Sequence, residues 1–288
     1  MIRRSIARLL HFGVPVLAVL AFAPPLAAAE PLRFAPLPRE SAEVVLRQFL
    51  PMTEYLEQHL GRSIEYVYFD HYDEILQAFG AGEVDLAYLG PLGYVRLRDS
   101  YSIADLVVQF NEAHGDPHYR CVLVAAVGET VRDVTGASAT VALTQPLSTC
   151  GYLGTDALLE EAGSAGLAAR DYRYLGSHDA VALAVVAGEF EFGGMKDSIA
   201  HRYEAVGLDV VAETAPIMPG HVLAANSGTL STEVREQIGR LLRDAPPAVY
   251  SEWGEPTRYG AVAVEDADYD VIRRMGGLGP IPGKASLP

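Results

Sequence analysis

GEVDLAYLGPLGYV, residues 82–95, reads as a buried strand that stops dead at Gly90-Pro91 and restarts as a helix. Residues 84–89 are apolar except for Asp85, the pattern of a strand covered on both faces. Gly90 permits a tight strand-to-helix turn, and Pro91 suits the first helical position. Residues 92–98 then continue as a helix. A buried strand feeding straight into a helix is the unit from which α/β domains are assembled.

Working outward, the same rhythm repeats. Residues 32–36 form an opening strand. Ser41 caps a helix to about residue 60, with Val44, Val45, Met52, Tyr55 and Leu56 on one face; Pro51 should kink or split it, and Gly61 ends it. Residues 63–69 alternate as a strand, and 72–79 are a short helix. Downstream, strands are expected at 119–127, 140–143, 172–175, 190–194 and 208–213. Helices are expected at 151–162, 177–187 and 232–243, the last of them terminal, and the tail after Gly276 is irregular. No tandem repeat or low-complexity tract interrupts this order.

The chain has 288 residues, and the first 29 read as a leader. Arg3, Arg4 and Arg8 precede an apolar run at 12–23, and Ala27-Ala28-Ala29 offers a cleavage site before Glu30. The run is too short to span a bilayer, and no later segment is apolar enough, so a periplasmic protein without stable membrane insertion is expected. The 22 Lys and Arg face 37 Asp and Glu, a net charge of −15. Losing the leader deepens this to −18. That balance argues against a nucleic-acid surface.

PLSTCGY, residues 146–152, places small hydroxyl residues ahead of a glycine and a helix. Free N–H groups at a helix start, with the helix dipole, favour an oxyanion. Ser148, Thr149 and Gly151 are therefore candidate anion contacts, against the plain alternative of an N-cap. His178, in GSHDA, stands at another expected helix start.

Taken in order, 82–95, PLSTCGYLG (146–154) and GSHDAVALAVVAGEFEFG (176–193) resemble the phosphate/phosphite/phosphonate family of solute-binding proteins that serve ABC importers. The resemblance implies a type II periplasmic binding protein: two α/β lobes joined by a two-strand hinge, with a ligand cleft between them. Residues 30–117 plus 226–288 would form lobe 1, and 118–225 lobe 2. It implies a binding protein rather than an enzyme, with no cofactor. Tyr72, Tyr88, Gly90 and Pro91 would close the lobe 1 side, and Ser148, Thr149, Gly151, His178 and Asp197 the lobe 2 side. No arginine clamp is expected.

Two departures from the resembled pattern stand out. Cys150 replaces a serine of the anion loop, and Cys121 a serine before a buried strand. Four readings remain open: a disulfide in an oxidising compartment, two inert thiols, a thiophilic site, or a Cys150 nucleophile activated by His178, which would make a thiol-dependent hydrolase. Two such changes at expected ligand-facing positions favour the thiophilic site, with Cys121 and Cys150 holding trivalent arsenic as arsenite. The loaded protein would then dock on a sensor histidine kinase or an ABC permease. The alternative is a phosphite, phosphate or phosphonate receptor of an importer.

Overall fold

The computed structural model describes residues 30–131, 139–215 and 217–283. The expected leader lies outside the described residues. Strands β1 (Leu32–Ala35), β2 (Ile64–Tyr66), β3 (Leu86–Leu89) and β4 (Ala104–Phe110) alternate with helices α1 (Ala42–Leu60), α2 (Tyr72–Gly80) and α3 (Pro91–Ser100). Next come β5 (His118–Tyr119), β6 (Cys121–Ala126) and β7 (Val141–Leu143). A π-helical turn at Thr149–Gly154 runs into α4 (Thr155–Glu161). Then follow β8 (Tyr172–Tyr174), α5 (His178–Val186), β9 (Phe192–Lys196), α6 (Asp197–Ala200) and β10 (Leu208–Glu213). The remainder holds β11 (Met218–Pro219), β12 (Val222–Asn226), α7 (Thr232–Arg243), α8 (Pro247–Tyr250), β13 (Ala261–Val262) and α9 (Asp270–Arg274).

These strands make two large sheets, ordered β13-β4-β12-β3-β1-β2 and β10-β6-β9-β7-β8. In the first, β1 lies parallel between β2 and β3, and β12 is antiparallel to both β3 and β4. In the second, β7 lies parallel between β8 and β9, and β6 is antiparallel to β9 and β10. Each sheet therefore holds three parallel strands followed by an antiparallel strand that arrives from the other half of the chain. The short pair β5–β11 lies where the two crossings run side by side.

Three expectations are corrected. Pro51 neither splits nor ends α1, which is continuous over Ala42–Leu60. Its buried face of Val45, Phe49, Met52 and Leu56 packs into the core, and tertiary packing outweighs one lost backbone bond. The second half of the fold ends earlier than residue 225, because β12 (Val222–Asn226) pairs inside the first sheet. The helix at 232–243 is not terminal; β13 follows and pairs with the edge of β4.

Cys121 and Cys150 form a disulfide with Cα atoms 4.9 Å apart. It ties the start of β6 to the π-helical turn. Gly154 is required beside it, since a Cβ there would lie 2.5 Å from the Cys121 Cβ. The bond corrects the thiophilic expectation: neither sulfur is a thiolate, so neither can ligate arsenic or act as a nucleophile. The two cysteines are 29 residues apart, and a loop of that size constrains the unfolded chain by about 3–4 kcal/mol. Urea unfolding of the Cys121→Ser/Cys150→Ser variant should show a loss of that order, and the denatured wild type should show no titratable thiol. A thiol titre of two in the oxidised protein would contradict the bridge.

Candidate functional site

Ligand sites in open α/β sheets lie beyond the carboxyl ends of parallel strands, where successive crossovers diverge. Here both sheets aim those ends at one place. The segments after β1, β2 and β3 deliver Arg39, Tyr72 and Gly90; those after β7 and β8 deliver Ser148, Thr149 and His178. Lys196 is the last residue of β9. Tyr119 and His221 come from the crossings between the sheets. These residues, with Leu37, Leu147, Cys150 and Ile199, enclose a cavity of about 30 Å3.

Its wall carries hydroxyl and backbone N–H groups. The Ser148 hydroxyl caps the π-helical turn by accepting from Gly151 N–H at 3.1 Å. The N–H groups of Thr149 and Cys150, first in that turn, have no acceptor within it. From the opposite sheet, Leu92 N–H donates to Thr149 Oγ1 at 3.0 Å. Two helix N-termini, those of α3 and of the anion turn, thus meet across the cleft. Gly90 faces it too: a Cβ there would sit 3.7 Å from both His221 Nε2 and Thr149 Oγ1.

Charge converges on the same space. Arg39 reaches in beside an ion pair to Glu255 at 3.5 Å. Lys196 is buried, its ammonium paired with Glu112 and lying 4.8 Å from the centroid of the Tyr119 ring. Burial first, and then Arg39, Lys196 and Arg202, push the His178 pKa down to about 3. Burial, Lys196 and Arg39 hold His221 well below the usual range as well. Both imidazoles are therefore neutral at neutral pH. His178 Nδ1 is fully shielded and has no hydrogen-bond partner within the protein. Burial pushes the Tyr72 phenol up to about 12, so it stays a donor.

Of the expected site residues, Tyr72, Gly90, Ser148, Thr149, Cys150 and His178 line the cavity. The others serve differently. Tyr88 is buried in the core, donates to Pro256 O at 3.3 Å and stacks on His221 with centroids 5.2 Å apart. Pro91 is buried as the first residue of α3. Cys121 lies behind the wall as the disulfide partner of Cys150. Gly151 is fixed by packing, since a Cβ would lie 1.8 Å from Thr144 Oγ1. Asp197 begins α6 and accepts from Arg120 N–H at 3.1 Å, off the cavity. Arg39, Tyr119, Lys196 and His221 were missed. Arg39 places an arginine at the cavity where none was expected; its position just past the first parallel strand was the available signal.

The two histidines set the pH response. Their folded pKa values lie below the unfolded value of about 6.5, so the unfolded chain binds more protons below that pH. Stability is complete above about pH 6.5 and falls as pH drops toward 3, by at most about 1.4 kcal/mol per pH unit per histidine. Urea unfolding at pH 7.5 and pH 5 should show this loss, and His178→Gln should remove part of it. An unchanged loss in that variant would remove His178 as a source.

Comparison with known proteins identifies the family and the fold. The family profile of the ABC-transporter phosphonate periplasmic substrate-binding proteins matches residues 34–269. The phosphate-import protein PhnD of Mycolicibacterium smegmatis is 27% identical over 275 residues, covering 85% of each chain. Among solved structures, a binding-protein component of a Pseudomonas aeruginosa ABC phosphonate transporter superposes with a TM-score of 0.72 at 21% identity, covering 85% of each chain. PhnD1 of Prochlorococcus marinus, in complex with methylphosphonate, gives 0.72 at 15% identity, covering 86% of this chain and 97% of its own. These likenesses establish the mixed α/β periplasmic-binding-protein fold. They lend no support to an arsenite sensor, and the importer alternative fits them. Among the described residues no helix is long and apolar enough to cross a membrane. The chain belongs to the phosphonate-binding family of periplasmic substrate-binding proteins of ABC transporters, a family of binding proteins rather than enzymes.

Proposed function

We propose that the protein, exported after loss of residues 1–29, captures a small phosphorus oxyanion and presents it to an ABC permease. Inorganic phosphate, phosphite and short alkylphosphonates form the ligand class. The supporting observation is the convergence of Arg39, Lys196, Ser148 and Thr149 on one small cavity at the start of the π-helical turn, whose first N–H groups have no acceptor within it. Charge-assisted and backbone donors of this kind suit hard oxygen ligands. The volume of about 30 Å3 suits the size: one water needs roughly 10–15 Å3 on that measure, so a group of a few heavy atoms fits and a long substituent does not. Without residues 1–29 the net charge of −18 would repel an anion at a distance, and Arg39 and Lys196 oppose that field at the cavity.

Binding is a clasp in this reading. One lobe, built on the first sheet, brings Arg39, Tyr72 and Gly90; the other brings the anion turn, His178 and Lys196. Rotation about the β5–β11 crossings would open and close them, the usual motion of such proteins. The neutral imidazoles of His178 and His221 donate one N–H each without adding charge, and an arriving anion raises their pKa values.

Titration calorimetry should show saturable binding of phosphate or methylphosphonate. At about 100 times its dissociation constant, the ligand should raise stability by about 2.7 kcal/mol. Arsenite should give no shift. Arg39→Met removes one of the two cations at the cavity and leaves Lys196, and affinity should fall about 100-fold. Unchanged phosphate affinity in Arg39→Met, or a shift with arsenite alone, would overturn the assignment.

A further inference from the structure

The segment after α9 does not trail off. It turns on itself through Gly279 N–H to Gly276 O at 2.7 Å and then runs across both lobes. On the first, Arg96 of α3 donates to Leu278 O at 3.2 Å and also to Gly279 O. On the second, Tyr152 of the anion turn donates to Pro280 O at 3.3 Å, and Tyr172 of β8 donates to Gly283 O at 3.1 Å. Between these anchors Ile281 packs against the core. Upstream the segment is rooted in the first lobe: α9 packs on α3, and Tyr94 of α3 meets Tyr269 edge to face at 4.8 Å.

We infer that residues 278–283 are a strap that holds the two lobes closed, by joining α3 through Arg96 to the anion turn and β8 through Tyr152 and Tyr172. The two helices it links are those whose N-termini face each other across the cavity, where Leu92 N–H meets Thr149 Oγ1. The peptide chain crosses between the sheets twice near β5–β11. The strap adds a third, non-covalent crossing. Opening the cleft must either pull the segment off Tyr152 and Tyr172 or pull it off Arg96. A device of this kind stabilises the closed form that retains a ligand, so its loss shows as faster dissociation. Arg96, Tyr152 and Tyr172 thus act as positioning residues.

Two readouts test the strap. The Leu92 amide is second in α3, so it has no acceptor within its own helix and is protected only while it reaches Thr149. Its hydrogen exchange in the ligand-free protein therefore reports closure without any ligand. Compared with the full chain, a chain ended after Gly277 should exchange Leu92 roughly tenfold faster, while the amides of β3 stay as protected as before. The full-length Tyr152→Phe/Tyr172→Phe variant should move the same way. The second readout rests on the function proposed above: phosphate or methylphosphonate should leave the shortened chain roughly tenfold faster, with the association rate nearly unchanged. Equal Leu92 exchange in the full and shortened chains would overturn the strap whatever the ligand proves to be. Lack of phosphorus-oxyanion binding by the full chain would overturn the functional reading and leave the exchange test standing.

Discussion

One hydrogen bond, from Leu92 N–H to Thr149 Oγ1 at 3.0 Å, joins the two halves of the molecule at the point where everything else converges. It is possible only because both sheets direct the carboxyl ends of their parallel strands toward each other. That arrangement brings helix N-termini, with unpaired N–H groups and the positive end of the dipole, to one small volume. Water would stabilise such groups in an open cleft. In the closed form they need an acceptor, and an oxyanion supplies several at once. Arg39 and Lys196 contribute charge to the same space, and burial, reinforced by their proximity, keeps His178 and His221 neutral.

The disulfide has a structural place in this scheme. It fixes the anion turn to the start of β6, and Cys121 pairs in register with Lys196 of β9. The turn and the lysine that line the cavity are therefore held by one rigid unit. Gly151 and Gly154 let the turn lie close against Thr144 and Cys121, and a side chain at either position would push it away. Rigid support of this kind keeps donors aimed without ordering cost at the moment of binding.

Much of the fold was legible because its signals are local. The strand–Gly–Pro–helix unit appears as β3 and α3, and the amphipathic segment at 232–243 appears as α7 with the expected ends. The anion turn was legible as a helix start, but its π-helical form was not. The turn packs against Thr144 and Cys121, which only the folded chain brings beside it. Local pattern also failed for Arg39, Lys196 and His221, which reach the cavity from three distant points of the sequence. For the cysteines, the sequence left four chemistries open, and the disulfide in the folded chain decided among them. Pro51 does not split α1, whose buried face packs into the core on both sides of it.

The most direct test of the account is a titration of the 15N-labelled protein with inorganic phosphate, followed at the amides of Thr149 and Cys150. The account predicts large, saturating shifts at these two positions, with a smaller response at Leu92 as the cleft tightens. Saturable binding that leaves both amides unmoved would place the ligand elsewhere and contradict the convergence of the two lobes on this cavity.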